Sequence, residues 1–305
     1  MMATAELIVD ARNSVGESPV WHPADQALYW VDIVQKKLYQ WQASSARVQS
    51  WAAPEMLGCI AMHAAGGWIA GMESGIFHLH TPAPITGQGQ GGDLQVKRLV
   101  VAPHNTHGMR FNDGRCDRQG RFLVGTMMVN MAVGQGNPCL TSYENNSTLR
   151  HLVGDMVVPN GLAFSPDGRT MYLSDSHPSV QTVWAFDYDT TTGTPSNRRV
   201  FVDMNPLPGR PDGAAVDADG CYWVCGNDAG FVHRFTPQGK LDQSLAVPVK
   251  KPAMCAFGGD DMRTLFVTSI RPEGIDLSDQ PLAGGVFALR PGVQGLPEPI
   301  FATTT

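Results

Sequence analysis

A short strand-like segment recurs six times along the chain, and this repeat constrains the fold more than any other feature. Each copy has four mostly apolar or small residues that follow a turn. The copies are residues 29–32, 69–72, 123–126, 172–175, 223–226 and 266–269. Their first residues are separated by 40, 54, 49, 51 and 43 positions. A period of this length with several strands per unit is typical of the blades of a β-propeller.

The six copies predict an all-β protein, a six-bladed β-propeller, with residues 1–305 forming a single domain. Four of the copies follow hairpin-type turns, at residues 22–25, 117–120, 165–168 and 217–220. A two-sheet sandwich is the alternative, because alternating strands alone do not distinguish the two architectures. Residues 88–92, in a Gly-rich stretch, are expected to belong to an exposed loop between blades.

Composition and charge exclude several classes of function. Hydrophobic residues make up 43% of the chain and charged residues 16%, which is enough apolar material for a packed core. There are 22 Lys and Arg against 28 Asp and Glu, with no basic run, so nucleic acid and anionic membranes are not expected as partners. No apolar run approaches the ~20 residues of a membrane span, and no export signal is evident, so we expect a cytoplasmic protein.

The repeat also predicts a ring of side chains around the central channel, since equal offsets in different blades lie at equal height. Counting back 11 or 12 residues from each copy gives four polar residues: Glu17, Asn112, Asn160 and Asp212. The two weakest copies give apolar or small residues there, namely Leu57 or Gly58, and Met254 or Cys255. The ring is therefore expected to be polar on one side and apolar on the other.

Two carboxylates and two amides that converge on a channel are costly to bury without a partner. One divalent metal ion removes this cost, and a set of oxygen donors suits Ca²⁺ or another hard cation. The alternative is that these are ordinary turn residues, because Asn-Gly and Asp-Gly are common in hairpins. Arg110 lies two residues before Asn112, so a strand would point both side chains to the same side. Its guanidinium could orient substrate hydroxyls or a developing oxyanion, unless it is simply a surface arginine.

Several stretches together make the chain similar to the senescence marker protein/gluconolactonase/regucalcin family along nearly its whole length. The matching stretches are GESPVW (16–21), YWVDI (29–33), RFNDG (110–114), GTM (125–127), NGL (160–162), DYD (187–189), SNRR (196–199), PDG (211–213), CAFGG (255–259) and AGGVF (283–287). Their order and spacing are specific, although no single stretch is decisive.

The resemblance implies a six-bladed propeller that binds one divalent metal at the channel mouth and hydrolyses sugar lactones. By motif position, Glu17, Asn160 and Asp212 would be the metal ligands, and Asp212 would also be the general base. Arg110 and Asn112 would contact the substrate or a metal-bound water. Relatives carry an acidic residue shortly after Gly-Thr-Met, where this chain has residues 128–130, so Asn130 is assigned to the substrate side.

The expected function is the metal-dependent hydrolysis of an aldonolactone to the aldonic acid, with a sugar lactone as the small-molecule partner. Ca²⁺ is the preferred ion, while Zn²⁺, Mn²⁺, Mg²⁺ and Fe²⁺ fit the same donors. Two alternatives stay open. One is a non-enzymatic calcium-binding or protein-interaction propeller, because a fold does not determine its function. The other is an esterase or phosphotriesterase on a related propeller.

Overall fold

Six separate sheets, in which almost all neighbouring strands pair antiparallel, form a β-propeller in the computed structural model. The structure describes residues 4–82, 89–104, 108–131, 136–144 and 147–302. We number the blades from the N-terminus and the strands in chain order. The six separate sheets exclude the two-sheet sandwich and confirm the predicted six-bladed, all-β fold.

The strands of each blade follow one another from the channel outwards. Blade 1 has β2 (Gly16–His22), β3 (Ala27–Asp32), β4 (Lys37–Gln42), β5 (Arg47–Ala52) and β9 (Gly89–Asp93). Blade 2 has β6 (Leu57–Met62), β7 (Trp68–Met72), β8 (Gly75–His80) and β10 (Gln95–Val101). Blade 3 has β11 (Met109–Cys116), β12 (Phe122–Met128), β13 (Leu140–Glu144) and β14 (Thr148–Val153).

The second half of the propeller is built in the same way. Blade 4 has β15 (Pro159–Phe164), β16 (Thr170–Asp175), β17 (Thr182–Asp189) and β18 (Thr194–Asp203). Blade 5 has β19 (Arg210–Val216), β20 (Tyr222–Asn227), β21 (Phe231–Phe235) and β22 (Leu241–Ala246). Blade 6 has β23 (Pro252–Gly258), β24 (Thr264–Ser269), β25 (Val286–Leu289) and β1 (Glu6–Val9).

Each repeated segment of the sequence lies in the second strand of a blade. These six strands are almost entirely buried, because both of their faces pack against neighbouring blades. Two buried faces explain why the segments read as continuous runs of apolar and small residues. The polar outer strands, such as β10 and β18, are largely exposed and carry no comparable repeat.

Contacts that are distant in sequence close the ring of blades. The N-terminal strand β1 supplies the outermost strand of blade 6 by pairing with β25. The C-terminal segment crosses between blades, where Phe301 exchanges backbone hydrogen bonds with Met62 and Ala64 of blade 2. In the same segment, Glu298 forms a 3.1 Å ion pair with the buried Arg115 of blade 3. These contacts tie both ends of the described chain to the blades.

The Gly-rich stretch is exposed as predicted, but its assignment to a loop was wrong for residues 89–92. Gly89–Asp93 form β9, which pairs in parallel with β5, while Gln88 lies outside the described residues. Gly91 permits this pairing, since a Cβ there would lie 2.4 Å from Nε1 of Trp51. In the described ranges, no helix is long and apolar enough to cross a membrane. The assignment of residues 1–305 to one domain stays a prediction.

Candidate active site

A β-bulge occurs at the same place on the innermost strand of every blade. In each blade the inner strand has one more residue than the second strand between two paired positions. Bulges bend a strand and redirect its side chains, and they are frequent next to active sites. In this propeller the bulge lies at or next to the predicted polar residue in each of blades 1, 3, 4 and 5.

In each blade we take the residue at, or directly after, the last paired position before the bulge. Glu17 and Asn160 are themselves paired, with Val31 and Ser174. One residue after the paired position come Gly58, Asn112, Asp212 and Ala253. We call these six residues the bulge ring. The four polar members are the ones that the sequence predicts, and Gly58 is one of the two candidates for blade 2. For blade 6 the prediction of Met254 or Cys255 was wrong. The hairpin is longer there, since Ala256 pairs with Phe266 ten residues later, so the equivalent residue is Ala253.

The polar side of the bulge ring opens into a cavity of about 240 Å³ at one end of the channel. Three sets of residues line it. The bulge ring contributes its four polar members. The residues that stand two positions before a bulge-ring residue contribute Val15, Met56, Arg110, Val158 and Arg210. Residues in the last two positions of the second strands, or directly after these strands, contribute Ile33, Met127, Ser176, Asn227 and Ile270. Val34, Val129 and Met131 complete the lining.

Asp212 is held by amide groups on both of its oxygens. Asn227 donates a 2.6 Å hydrogen bond from Nδ2 to Oδ2, and Asn160 donates a close hydrogen bond from Nδ2 to Oδ1. Asn160 Nδ2 also lies 3.0 Å from Oγ of Ser176. Burial raises the pKa of Asp212 to about 6, although Arg210 and the Asn227 hydrogen bond oppose the shift. The carboxylate is thus oriented and more basic than usual.

Glu17 lies across the channel from blades 4 and 5 and is 8% exposed. Burial raises its pKa well above the usual range, and the negative charges of Asp212 and Asp113 raise it further. Arg110 acts in the opposite direction and lowers it. Asp113, next to Asn112 in β11, is itself buried, with Oδ2 accepting a 2.9 Å hydrogen bond from the backbone of Leu162. The cavity floor therefore concentrates negative charge.

Arg110 and Asn112 point to the same side of β11, as their spacing predicts. Arg110 Nη1 donates a 2.8 Å hydrogen bond to Oδ1 of Asn112 and a 2.9 Å bond to the carbonyl of Phe111. Asn112 Nδ2 donates to the carbonyl of Pro159 at 3.1 Å, which links blades 3 and 4. Burial lowers the pKa of Arg110 to about 10, so the guanidinium keeps its charge at neutral pH.

Asn130 is the one predicted site residue that does not line the cavity. It is exposed in the segment after β12, and the cavity lining includes its neighbours Val129 and Met131 but not Asn130 itself. Its assignment to the substrate side stays a prediction. The structure thus brings together Glu17, Arg110, Asn112, Asn160 and Asp212 in one cavity.

Residues 15–271 match the family described as "SMP-30/Gluconolactonase/LRE-like region". This match covers most of the chain. The chain belongs to this family. The resemblance inferred from the sequence motifs is therefore confirmed.

Relatives of known name agree with this family assignment. The chain is 38% identical over 304 residues to 6-deoxy-6-sulfogluconolactonase of Pseudomonas putida, covering 99% of this chain and 100% of that protein. It is 35% identical to regucalcin of Xenopus laevis, over 97% of this chain and 98% of that protein. A crystal structure of a calcium-binding protein, regucalcin, from Agrobacterium tumefaciens superposes with a TM-score of 0.89 at 27% identity, covering 99% and 98% of the two chains.

Sequence reasoning missed three polar residues of this gluconolactonase-like site, namely Arg210, Ser176 and Asn227. Arg210 stands two residues before Asp212, just as Arg110 stands two residues before Asn112, so the same spacing rule identifies it. Ser176 and Asn227 each follow the first residue of a repeated segment by four positions. Five of the six residues at this offset line the cavity, so a second application of the repeat would have found them.

The donor set fits a hard divalent cation. Glu17 and Asp212 are buried carboxylates whose raised pKa values show the cost of keeping two negative charges together. Oδ1 of Asn160 accepts a 3.3 Å hydrogen bond from Gly161, a long contact that a cation could replace. Among the described residues, no group of three or more His, Cys, Asp or Glu side chains could hold a metal. The predicted set contains an amide, so it is not a group of that kind.

Proposed function

We propose that this chain hydrolyses a sugar lactone to the corresponding aldonic acid with the help of one divalent metal ion. The observation that carries the proposal is the meeting of Glu17, Asn160 and Asp212, from three separate blades, in one buried cavity. Membership of the gluconolactonase-like family, with a sulfogluconolactonase among the relatives, supports a lactonase. Glu17, Asn160 and Asp212 would hold the metal. Ca²⁺ is our preferred ion for this set of oxygen donors, and Zn²⁺, Mn²⁺, Mg²⁺ and Fe²⁺ are the alternatives.

A lactone is an ester, and its hydrolysis needs a water molecule to attack the carbonyl carbon. Asp212 is placed to accept a proton from that water, since its two oxygens are held by Asn160 and Asn227 in a fixed orientation. A pKa of about 6 leaves it ionised at neutral pH and more basic than an ordinary carboxylate. The bound cation would supply Lewis-acid polarisation of the carbonyl.

The other polar side chains position the substrate in this proposal. Arg110 is anchored through Nη1 to Phe111 and Asn112, which aims its guanidinium into the cavity. It would donate hydrogen bonds to ring hydroxyls or to the oxyanion that develops as water adds. When the ring C–O bond breaks, the leaving alkoxide takes up a proton and the product is a hydroxy acid.

Release of acid from gluconolactone, xylonolactone and arabinolactone, measured with and without a chelator, tests the proposal. We expect turnover that is lost on chelation and restored by Ca²⁺ or another divalent ion. Asp203→Asn, at an exposed carboxylate, is a matched control for Asp212→Asn. Metal binding with no turnover on any lactone would favour the non-enzymatic calcium-binding or interaction propeller. Turnover of aryl esters in preference to lactones would favour an esterase.

A further inference from the structure

The cavity has two chemically different sides. Blade 5 contributes three polar side chains to the lining, Arg210, Asp212 and Asn227, and no apolar one. Blades 1, 2 and 3 add Glu17, Arg110 and Asn112 to the lining together with seven apolar side chains. Six of these form what we call the apolar wall, which consists of Val15, Ile33, Val34, Met56, Val129 and Met131; the seventh, Met127, is only 5% exposed.

The outer part of the apolar wall faces solvent at the cavity mouth. Val34 is 51% exposed, Val129 47% and Met131 40%. In the described part of the chain, nine large hydrophobic side chains are at least 39% exposed, and three of them lie at this one opening. Single exposed hydrophobic side chains are ordinary, whereas a cluster at a cavity mouth marks a surface that binds something apolar.

The polar side chains on the side of blades 4 and 5 already have hydrogen-bond partners, whereas Arg110 is assigned to the ring hydroxyls of the lactone. Asn160 and Asn227 donate to Asp212, and Arg210 is engaged with Asp228 at 2.6 Å and with the carbonyl of Ser176 at 2.9 Å. The side chains of the wall have no hydrogen-bond donor or acceptor beyond the weak thioether sulfurs of its two methionines. A substrate hydroxyl placed against them loses water without gaining a partner, which is unfavourable.

We infer that the lactone this site accepts carries an apolar arm, a deoxygenated or alkyl substituent on its ring, which packs against the apolar wall. The inference rests on the proposed lactonase function and adds the substrate class. The ester reacts beside Asp212, on the polar side. The part of the substrate that extends from the ring toward the mouth therefore meets Val34, Val129 and Met131.

Three gluconolactones that differ only at carbon 6 test this inference directly. They carry a hydroxyl, a hydrogen or a sulfonate at that carbon, and kcat/KM is measured for each under identical conditions. We expect the 6-deoxy lactone to be turned over about tenfold more efficiently than the hydroxylated one, which is the scale of discrimination that an apolar pocket provides. The sulfonated lactone should be the poorest of the three.

The double variant Val34→Ser/Val129→Ser makes the wall polar at two exposed positions, where substitution leaves the core intact. We expect the tenfold preference to fall to about twofold, with the melting temperature unchanged. Val200→Ser is the matched control, since Val200 is 63% exposed on the outer strand of blade 4. The control should keep the full preference.

The possible outcomes separate this inference from the function on which it rests. Turnover with a preference for the hydroxylated lactone, or an unchanged preference in the double variant, would overturn the apolar arm and leave the lactonase standing. A preference for the sulfonated lactone would also overturn it, and would point to Arg210 and Lys251, both of which bind Asp228 beside the cavity. No turnover of these three lactones, nor of xylonolactone or arabinolactone, would overturn the lactonase proposal together with this inference.

Discussion

Blades 1, 3, 4 and 5 share the inner-strand bulge with blades 2 and 6, yet only the first group presents polar side chains there. The bulge ring reads Glu17, Asn112, Asn160 and Asp212 in one group, and Gly58 and Ala253 in the other. The same backbone feature therefore occurs whether or not the position carries chemistry. The bulge is a property of the propeller, and the side chain decides what each blade contributes to the site.

Close packing explains the small residues in the second group. A Cβ on Gly58 would lie 2.5 Å from the carbonyl oxygen of Phe111 and 2.9 Å from that of Asn112. Glycine thus lets the inner strand of blade 3 approach blade 2. Ala253 is fully buried in blade 6. We expect the polar positions to control turnover and the small positions to control stability.

The sharpest test of this division is Asp212→Asn. We expect kcat to fall by about a thousandfold, because general-base catalysis typically contributes factors of 10²–10⁴. The amide keeps the shape of the carboxylate, so circular dichroism and the melting temperature should stay close to those of the wild type. If the rate stayed the same in this variant, Asp212 would have no part in the mechanism.

Gly58→Ala is the counterpart on the small side of the bulge ring. The added methyl group forces the backbones of blades 2 and 3 apart, and overpacking of this kind costs about 1–3 kcal/mol of unfolding free energy. Denaturant unfolding measures the loss, and kcat per folded molecule should stay within about threefold of wild type. A collapse of kcat with unchanged stability would contradict the proposed division.

Glu17→Gln tests two effects of the buried Glu17 charge: that it destabilises the metal-free protein, and that it binds the cation. In chelator-treated protein we expect the melting temperature to rise by about 2–4 °C, because a buried carboxylate near Asp212 and Asp113 loses its charge. The wild type should then gain stability when Ca²⁺ is added, and the variant should not. The control Glu6→Gln, on the exposed start of β1, should neither raise the melting temperature nor remove the response to Ca²⁺. Equal stabilisation of Glu17→Gln and wild type by Ca²⁺ would exclude Glu17 as a ligand.

The pH dependence of stability tests the buried charge of Asp212 directly. Burial raises the pKa of Asp212 to about 6 in the folded state, above the ordinary value near 3.8. Its contribution is therefore fully present below about pH 3.8 and is lost as pH rises to about 6. In chelator-treated protein, wild type should gain stability relative to Asp212→Asn as pH falls through this window. A difference between the two that does not vary with pH would show that the pKa of Asp212 is not raised.

Much of the fold follows from the sequence because the second strand of each blade is buried on both faces. That burial demands an apolar run every 40 to 54 residues, and such a run is visible without a structure. The edge strand β9 was missed because its residues, Gly89–Asp93, have no apolar alternation. Its pairing depends on the distant strand β5 and on the contact of Gly91 with Trp51.

The site was predicted less completely than the fold, for two physical reasons. Offsets along the sequence locate a residue only if every hairpin has the same length, and the longer hairpin of blade 6 moved the equivalent position to Ala253. Hydrogen bonds between blades are also invisible in sequence, so the support that Asn160 of blade 4 gives to Asp212 of blade 5 was not anticipated.

By itself, the sequence determined the number of blades, the four polar members of the bulge ring and the family to which the chain belongs. These depend on local spacing, because a fold made of repeated blades requires a repeated pattern of residues along the sequence. Only the tertiary structure decided how Asp212 is oriented, where the N-terminal strand closes the ring and which cavity side is apolar. Those features depend on contacts between segments that are distant in the sequence. The spacing of residues within one blade does not determine how that blade contacts another.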